Sequence, residues 1–207
     1  QAYALAADTP PTGVPRATVR FQEILSHIEA GRLDEAATVL DRHATTLDAV
    51  TRWQAEWNLA RALQAAGRIA QAAERITRLA ATPDKSALPP ALRARLDWLG
   101  IRLALASGQA NEALSKARTL RDTLSDVPMA LARELSGLAR IAEAEALFAS
   151  GDSAQAVAAL ALARERDGGA EAAVQSYLVE ADFQAAAGDL VKAQELLTAF
   201  ADDHATH

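Results

Sequence analysis

The 207 residues contain no cysteine, which excludes disulfides, thiolate nucleophiles and Cys-ligated zinc while leaving the compartment open. Aromatic residues make up only 4% of a chain that is 50% hydrophobic. A core built mainly from Ala and Leu suits closely packed helices, since these residues lead the helix scale and aromatic and β-branched residues lead the strand scale. No run of about eighteen apolar residues occurs, so no direct membrane insertion is expected. A concentrated basic face is missing too. Residues 1–104 hold 13 Lys and Arg against 11 Asp and Glu, and residues 105–207 hold 8 against 16, within a net charge of −6. This balance argues against nucleic acid as a partner and leaves an asymmetry able to orient one.

Signals of chemistry are sparse. There is no phosphate-binding glycine loop and no strand-turn-helix nucleophile elbow. Of the four histidines, His27 and His43 fall on the two helices of one predicted hairpin, without a nearby Cys or carboxylate to complete a metal set. His204 and His207 sit in the polar end of the chain. Glu143 and Glu145, two apart, project from different sides of a helix and make a poor acid-base pair. No enzyme activity, metal or cofactor is expected.

What the chain does contain is a repeated unit. Ala66-Gly67-Arg68-Ile69-Ala70-Gln71-Ala72 has counterparts beginning at Ala30, Ser107, Ser150 and Ala187, all reading small, Gly, polar, any, any, polar, Ala. The glycines Gly31, Gly67, Gly108, Gly151 and Gly188 lie 36, 41, 43 and 37 residues apart, a spacing typical of stacked helical repeats. Each glycine closes one helix in a left-handed conformation and reverses the chain, and the later Ala permits close approach of helices.

Apolar spacing then predicts helices over 17–30, 33–43, 48–66, 69–81, 90–107 and 110–124, followed by one from Pro128 to Ser150 and others over 153–166, from Gly169 to Ala187, and over 190–201. Asp48 is placed to cap the third, Ser125 and Asp126 to introduce the seventh, and Gly168-Gly169 to turn the chain after the eighth. The fifth has apolar residues on two faces and must be sandwiched between neighbours. Ten antiparallel helices pair into five hairpins, none able to hide its own apolar side.

The glycine turn followed five residues later by Ala resembles the tetratricopeptide-repeat family over roughly residues 18–202. Ala60, Ala144 and Ala181 fit the small position seven before the glycine, and Leu40, Ile76, Leu160 and Leu197 fit the later apolar position. The first-helix aromatic signature is lacking, with only Trp98-Leu99-Gly100 approaching it one residue out of register, and the intervals exceed the family's usual 34. The resemblance implies an all-α, right-handed α-solenoid whose inner face, lined by the first helix of each hairpin, holds a peptide or a partner's helix. Groove candidates are then Gln54, Trp57, Asn58, Arg61 and Gln64 in the second hairpin, and Arg95, Trp98 and Arg102 in the third. Ile141, Glu145 and Phe148 follow in the fourth, and Leu178 and Asp182 in the fifth, so the groove changes from basic to acidic. The family's paired Lys and Asn that clamp a terminal carboxylate have no counterpart here.

Read from the residues alone, Gln54, Asn58, Arg61 and Gln64 form a polar stripe at helical spacing, and Trp and Arg are the types enriched in binding hot spots. The plainer reading takes Trp57 and Trp98 as packed core and the arginines as surface charges.

The domain boundaries expected are a leader or tether at 1–16, the repeat array at 17–203 and a frayed tail at 204–207. The Ala-rich start followed by Thr9-Pro10-Pro11 fits both the end of a secretory signal and a tether leaving a membrane anchor, which favours an extracytoplasmic or periplasmic setting over the cytoplasm. The Ala, Arg and Leu usage suggests a bacterial source. The leading functional reading is a non-enzymatic adaptor for a protein or peptide. The alternative is a structural module that self-associates, as a homodimer, through Leu196, Leu197 and Phe200 of its last helix.

Overall fold

A computed structural model describes residues 13–81, 88–167 and 170–204. The leader up to residue 12, the segment 82–87, the Gly168-Gly169 turn and His207 therefore lie outside the described residues. Among the described residues ten α-helices follow one another, without a strand: α1 Arg16–Glu29, α2 Leu33–His43, α3 Ala49–Ala65, α4 Ile69–Ala80, α5 Pro90–Ala106, α6 Ala110–Asp122, α7 Met129–Ala149, α8 Ser153–Leu162, α9 Ala170–Ala186 and α10 Leu190–His204. The chain is an all-α solenoid of helical hairpins. It divides into two compact units, one ending at Leu99 and one beginning at Gly100, so that α5 contributes to both.

The predicted glycine turn is the joint of every hairpin. At Gly67, φ is +74°, a conformation that a side chain would strain. The Gly67 N–H donates to the Gln64 carbonyl (3.0 Å) and the Arg68 N–H to that of Leu63 (2.8 Å), which satisfies the last carbonyls of α3. Arg68 immediately becomes the N-cap residue of α4, its carbonyl accepting from the Ala72 N–H (3.1 Å). The same three bonds recur around Gly31, Gly108, Gly151 and Gly188. A two-residue joint with fixed dihedrals forces the next helix to run back along the previous one. Asp48 caps α3 as expected, accepting from the Thr51 N–H at 3.0 Å.

Two features depart from the sequence reading. Ser125 and Asp126 do not cap α7, because they belong to a 3₁₀ turn, Leu124–Asp126, and the Pro128 carbonyl instead accepts the first helical bond, from the Ala132 N–H. The eighth helix widens into a π-helical turn over Ala163–Asp167 rather than continuing as α-helix. That turn carries Arg164, whose guanidinium lies 4.2 Å from the Tyr177 ring centroid and donates to Ser176 and Glu180 of α9.

Within the first unit, α1 packs on α2 and α3, and α3 on α2 and α4. Within the second, α7 is packed by α6, α8 and α9, and α9 by α10. The helices approach closely because the repeated Ala is small. Ala36, Ala72, Ala113 and Ala156 are 0% exposed. Ala113 of α6 meets Ala104 of α5 and Ala146 of α7, and the larger cluster of the second unit joins Ile141, Ala144 and Leu147 to Ala156, Leu160 and Phe183. Ile141 is therefore core, not part of an open face. Its neighbours on three helices leave it almost no access to solvent.

Charges fix the hairpins against one another. Arg75 of α4 is buried, donating through Nε to Glu56 of α3 (2.7 Å) and through Nη2 to Asp41 of α2 (2.8 Å). Seven residues earlier, Arg68 at the N-cap of α4 pairs with Asp34 of α2. Two rungs one heptad apart lie on one helix face and set both the distance and the rotation of α4 against α2. The second unit inverts the polarity. Buried Glu143 of α7 accepts from Arg118 (2.8 Å) and pairs with Arg121 and Arg140, each at 3.2 Å.

Two stability measurements check this packing. Ala72→Leu or Ala113→Leu overpacks a helix contact and lowers unfolding free energy by about 1–3 kcal/mol; no loss for either would break the register assigned to the repeats. Arg75→Ala strands the Glu56 carboxylate and costs about 3 kcal/mol in urea unfolding, while Arg75→Leu with Glu56→Leu recovers most of it. A double variant as unstable as the single one would mean that the stranded charge is not the cause.

Candidate partner-binding face

In the first unit the first helices of successive hairpins come together around a cleft of about 350 Å³. Phe21 comes from α1, Val50, Gln54, Trp57 and Asn58 from α3, and Ala91, Leu92 and Arg95 from α5, with Pro89 just ahead of it. Gln54, Trp57, Asn58 and Arg95, chosen from sequence on two different helices, thus line one space. The amphipathic spacing of α3 explains its share. Trp53, Leu59, Ala60 and Leu63 turn into the core, and the stripe of Gln54, Trp57, Asn58 and Arg61 is left outward.

Trp57 is half-buried, in contrast to the fully packed Trp53, and the Arg61 guanidinium stacks 4.4 Å from its ring centroid. Such stacking holds the indole in one orientation while keeping a cation beside it. The Asn58 amide donates to the Gln54 carbonyl one turn earlier (2.9 Å). Arg95 is exposed at the cleft, and no carboxylate is among the described residues that line it. Behind the face, Glu56 is held by Arg75, and burial raises its carboxyl above the ordinary range against the opposing pull of that guanidinium. The ion pair therefore locks α3 next to Trp57. Gln64 is half-buried one turn beyond Arg61, and Trp98 half-buried on α5; neither lines the cleft.

Phe21, Val50, Pro89, Ala91 and Leu92 were not singled out from sequence. Val50 lies four residues before Gln54 and Leu92 three before Arg95, so helical spacing from the chosen residues would have reached them.

In the second unit, two more of the chosen residues meet. Arg102 of α5 donates to Glu145 of α7 at 2.6 Å, both partly exposed. Phe148 stacks on Phe183 of α9, centroids 4.1 Å apart and rings parallel, so much of its surface is committed to helix packing. Leu178 and Asp182 are exposed on α9. On α10, Leu197 is exposed and Leu196 half-buried, and half-buried Phe200 meets Tyr177 with centroids 5.9 Å apart.

His27 accepts a hydrogen bond at Nδ1 from Arg32 (3.2 Å), and among the described residues no group of three His, Cys, Asp or Glu is placed to hold a metal ion. No helix of the described residues is long and apolar enough to cross a membrane.

The tetratricopeptide-repeat family pattern matches residues 17–42, 53–76 and 137–164, which fall on the hairpins α1–α2, α3–α4 and α7–α8. These three hairpins are TPR-like repeats. Its hairpins resemble a crystal structure described as the nearly identical TPR-like repeats of a candidate kinesin light chain from Podosopora anserina. That structure has a TM-score of 0.63 at 21% identity, covering 91% of this chain and 97% of that one. A single-substitution variant of the same repeats gives a TM-score of 0.64 at 21% identity over 89% and 92% of the two chains. At that identity the likeness concerns the fold. No curated protein matches the chain. TPR-like repeats form a fold that generally mediates protein-protein interaction without catalysis.

The Glu145 carboxyl supplies a pH test. Burial raises it above its ordinary value of 4.5, more than Arg102 lowers it. Its proton is held more tightly in the folded state, so its contribution to stability is complete at low pH and is lost as pH rises from 4.5 through the raised value. Glu145→Gln cannot lose a proton. Its stability relative to the parent therefore increases across that window in urea unfolding from about pH 4 to 7, and a difference independent of pH would refute the assignment.

Proposed function

We propose that this TPR-like protein is a non-enzymatic adaptor that holds an extended segment of a protein partner on the first-helix face of its N-terminal unit. The observation carrying the reading is the cleft itself, where residues of three successive hairpins converge and four of them are groove candidates that the resemblance to the repeat family implies. Its chemistry points to the kind of segment. Phe21, Val50, Leu92 and the Trp57 ring accept an apolar anchor, Gln54 and Asn58 offer hydrogen bonds to an extended backbone, and Arg61 and Arg95 favour an acidic residue beside the anchor. A cavity of about 350 Å³ is at the small end of ligand sites and suits one anchoring side chain, with the rest of the segment lying along the face.

Selection of a random peptide library on the immobilised chain, followed by calorimetry of the enriched sequences, tests this. Enriched peptides pair a large apolar residue with Asp or Glu, and Trp57→Ala or Arg95→Ala weakens them about tenfold with unchanged helical content. Peptides that bind both variants as tightly as the parent place the site elsewhere.

A further inference from the structure

The five hairpins provide an internal standard for how exposed each repeat position should be. Nine residues after the turn glycine stand Leu40, Ile76, Ala117, Leu160 and Leu197. The first four are 0%, 9%, 0% and 0% exposed, and Leu197 is 43% exposed. Two residues after the glycine the standard is looser, with Leu33 7% exposed, Ile69 and Ala110 half-buried, Ser153 exposed and Leu190 68% exposed. Next to it, Val191 is 69% exposed. On α10 these residues fall at helical spacing, Leu190, Leu197 and Ala201 forming one exposed stripe with Gln194.

The earlier hairpins show what covers this face. α2 is packed by α3, Ala113 of α6 meets Ala146 of α7, and Ala156 and Leu160 of α8 cluster with Ala172 and Phe183 of α9. In each case a helix with an Ala-rich apolar seam lies across the second helix of the preceding hairpin. Electrostatics narrows the occupant further. Asp182, Asp189 and Glu195 are exposed on the fifth hairpin beside exposed Lys192, in the half of the chain that carries 16 acidic against 8 basic residues. A second copy presenting the same face would bring like charges together, whereas a helix flanked by Lys or Arg would find complementary ones.

We infer that the α10 face of the fifth hairpin docks an amphipathic helix of a protein partner, with an Ala/Leu seam flanked by basic residues, laid across α10 as α7 lies across α6. This surface is separate from the Trp57 cleft and does not depend on it.

The test uses the whole chain and a fluorescein-labelled synthetic helix with an Ala/Leu seam and Lys flanks, beside the same helix with Glu flanks. Anisotropy shows saturable binding of the Lys-flanked helix and binding about tenfold weaker for the Glu-flanked one. Leu197→Asp, an exposed position that leaves the fold intact by circular dichroism, weakens the Lys-flanked helix about tenfold, and Leu190→Ser does so as a second check. Trp57→Ala leaves it unchanged. The inference is overturned by absence of binding, by equal binding of the two helices, by indifference to both α10 substitutions, or by loss on Trp57→Ala. It is equally overturned if light scattering finds a dimer that Leu197→Asp disperses, for the occupant is then a second copy.

Discussion

No pair of helices in this chain can bury its own apolar side, and contact between neighbouring hairpins is the constraint on which everything else depends. That contact is made possible by the smallest apolar side chain. Ala36, Ala72, Ala113 and Ala156 are completely enclosed, and each lies five residues beyond a glycine whose left-handed dihedral reverses the chain. Turn and seam act together: the glycine aims the second helix back along the first, and the Ala lets that helix come close enough for neighbours to exclude water. Stability in such an array is the sum of small interfaces rather than one large core.

Charge then selects one arrangement among those that close packing allows. Apolar Ala and Leu seams slide with little penalty, whereas a buried guanidinium held by carboxylates on two other helices does not. Arg75 with Asp41 and Glu56 performs this task in the first unit, and Glu143 with three arginines performs it in the second. Since Glu56 directly precedes Trp57, the buried pair also sets the presentation of the binding face. A scaffold of this kind positions its partner by the rotation of its helices.

The elements that were legible in the sequence are those encoded locally. The glycine turns, the capping Asp48 and the helix spans could be read because each is decided by residues within a few positions of one another. Trp53 and Trp57 could be separated only with the structure, as both satisfy an apolar helical spacing and only neighbouring helices determine which ring is enclosed. The ion-pair rungs were not visible for a similar reason. Asp34 and Arg68, like Asp41 and Arg75, lie 34 residues apart, while their turn glycines lie 36 apart, so the glycine register does not align them. The π-helical turn that carries Arg164 has no local signature either; it accompanies contacts that Arg164 makes with residues on the following helix. In the cleft, the polar and aromatic residues stood out by type, and the apolar ones, Phe21, Val50 and Leu92, looked like ordinary core.

The central claim is that hairpin stacking turns the first helices of the N-terminal unit into a recognition face. Hydrogen-deuterium exchange of the chain, with and without a peptide selected on it, measures this most directly, because it reports where backbone opening is suppressed without presupposing which side chains matter. The account predicts added protection on α1, α3 and the beginning of α5, with α2 and α4 unchanged. Protection concentrated on α2 and α4, or confined to α10, would contradict it.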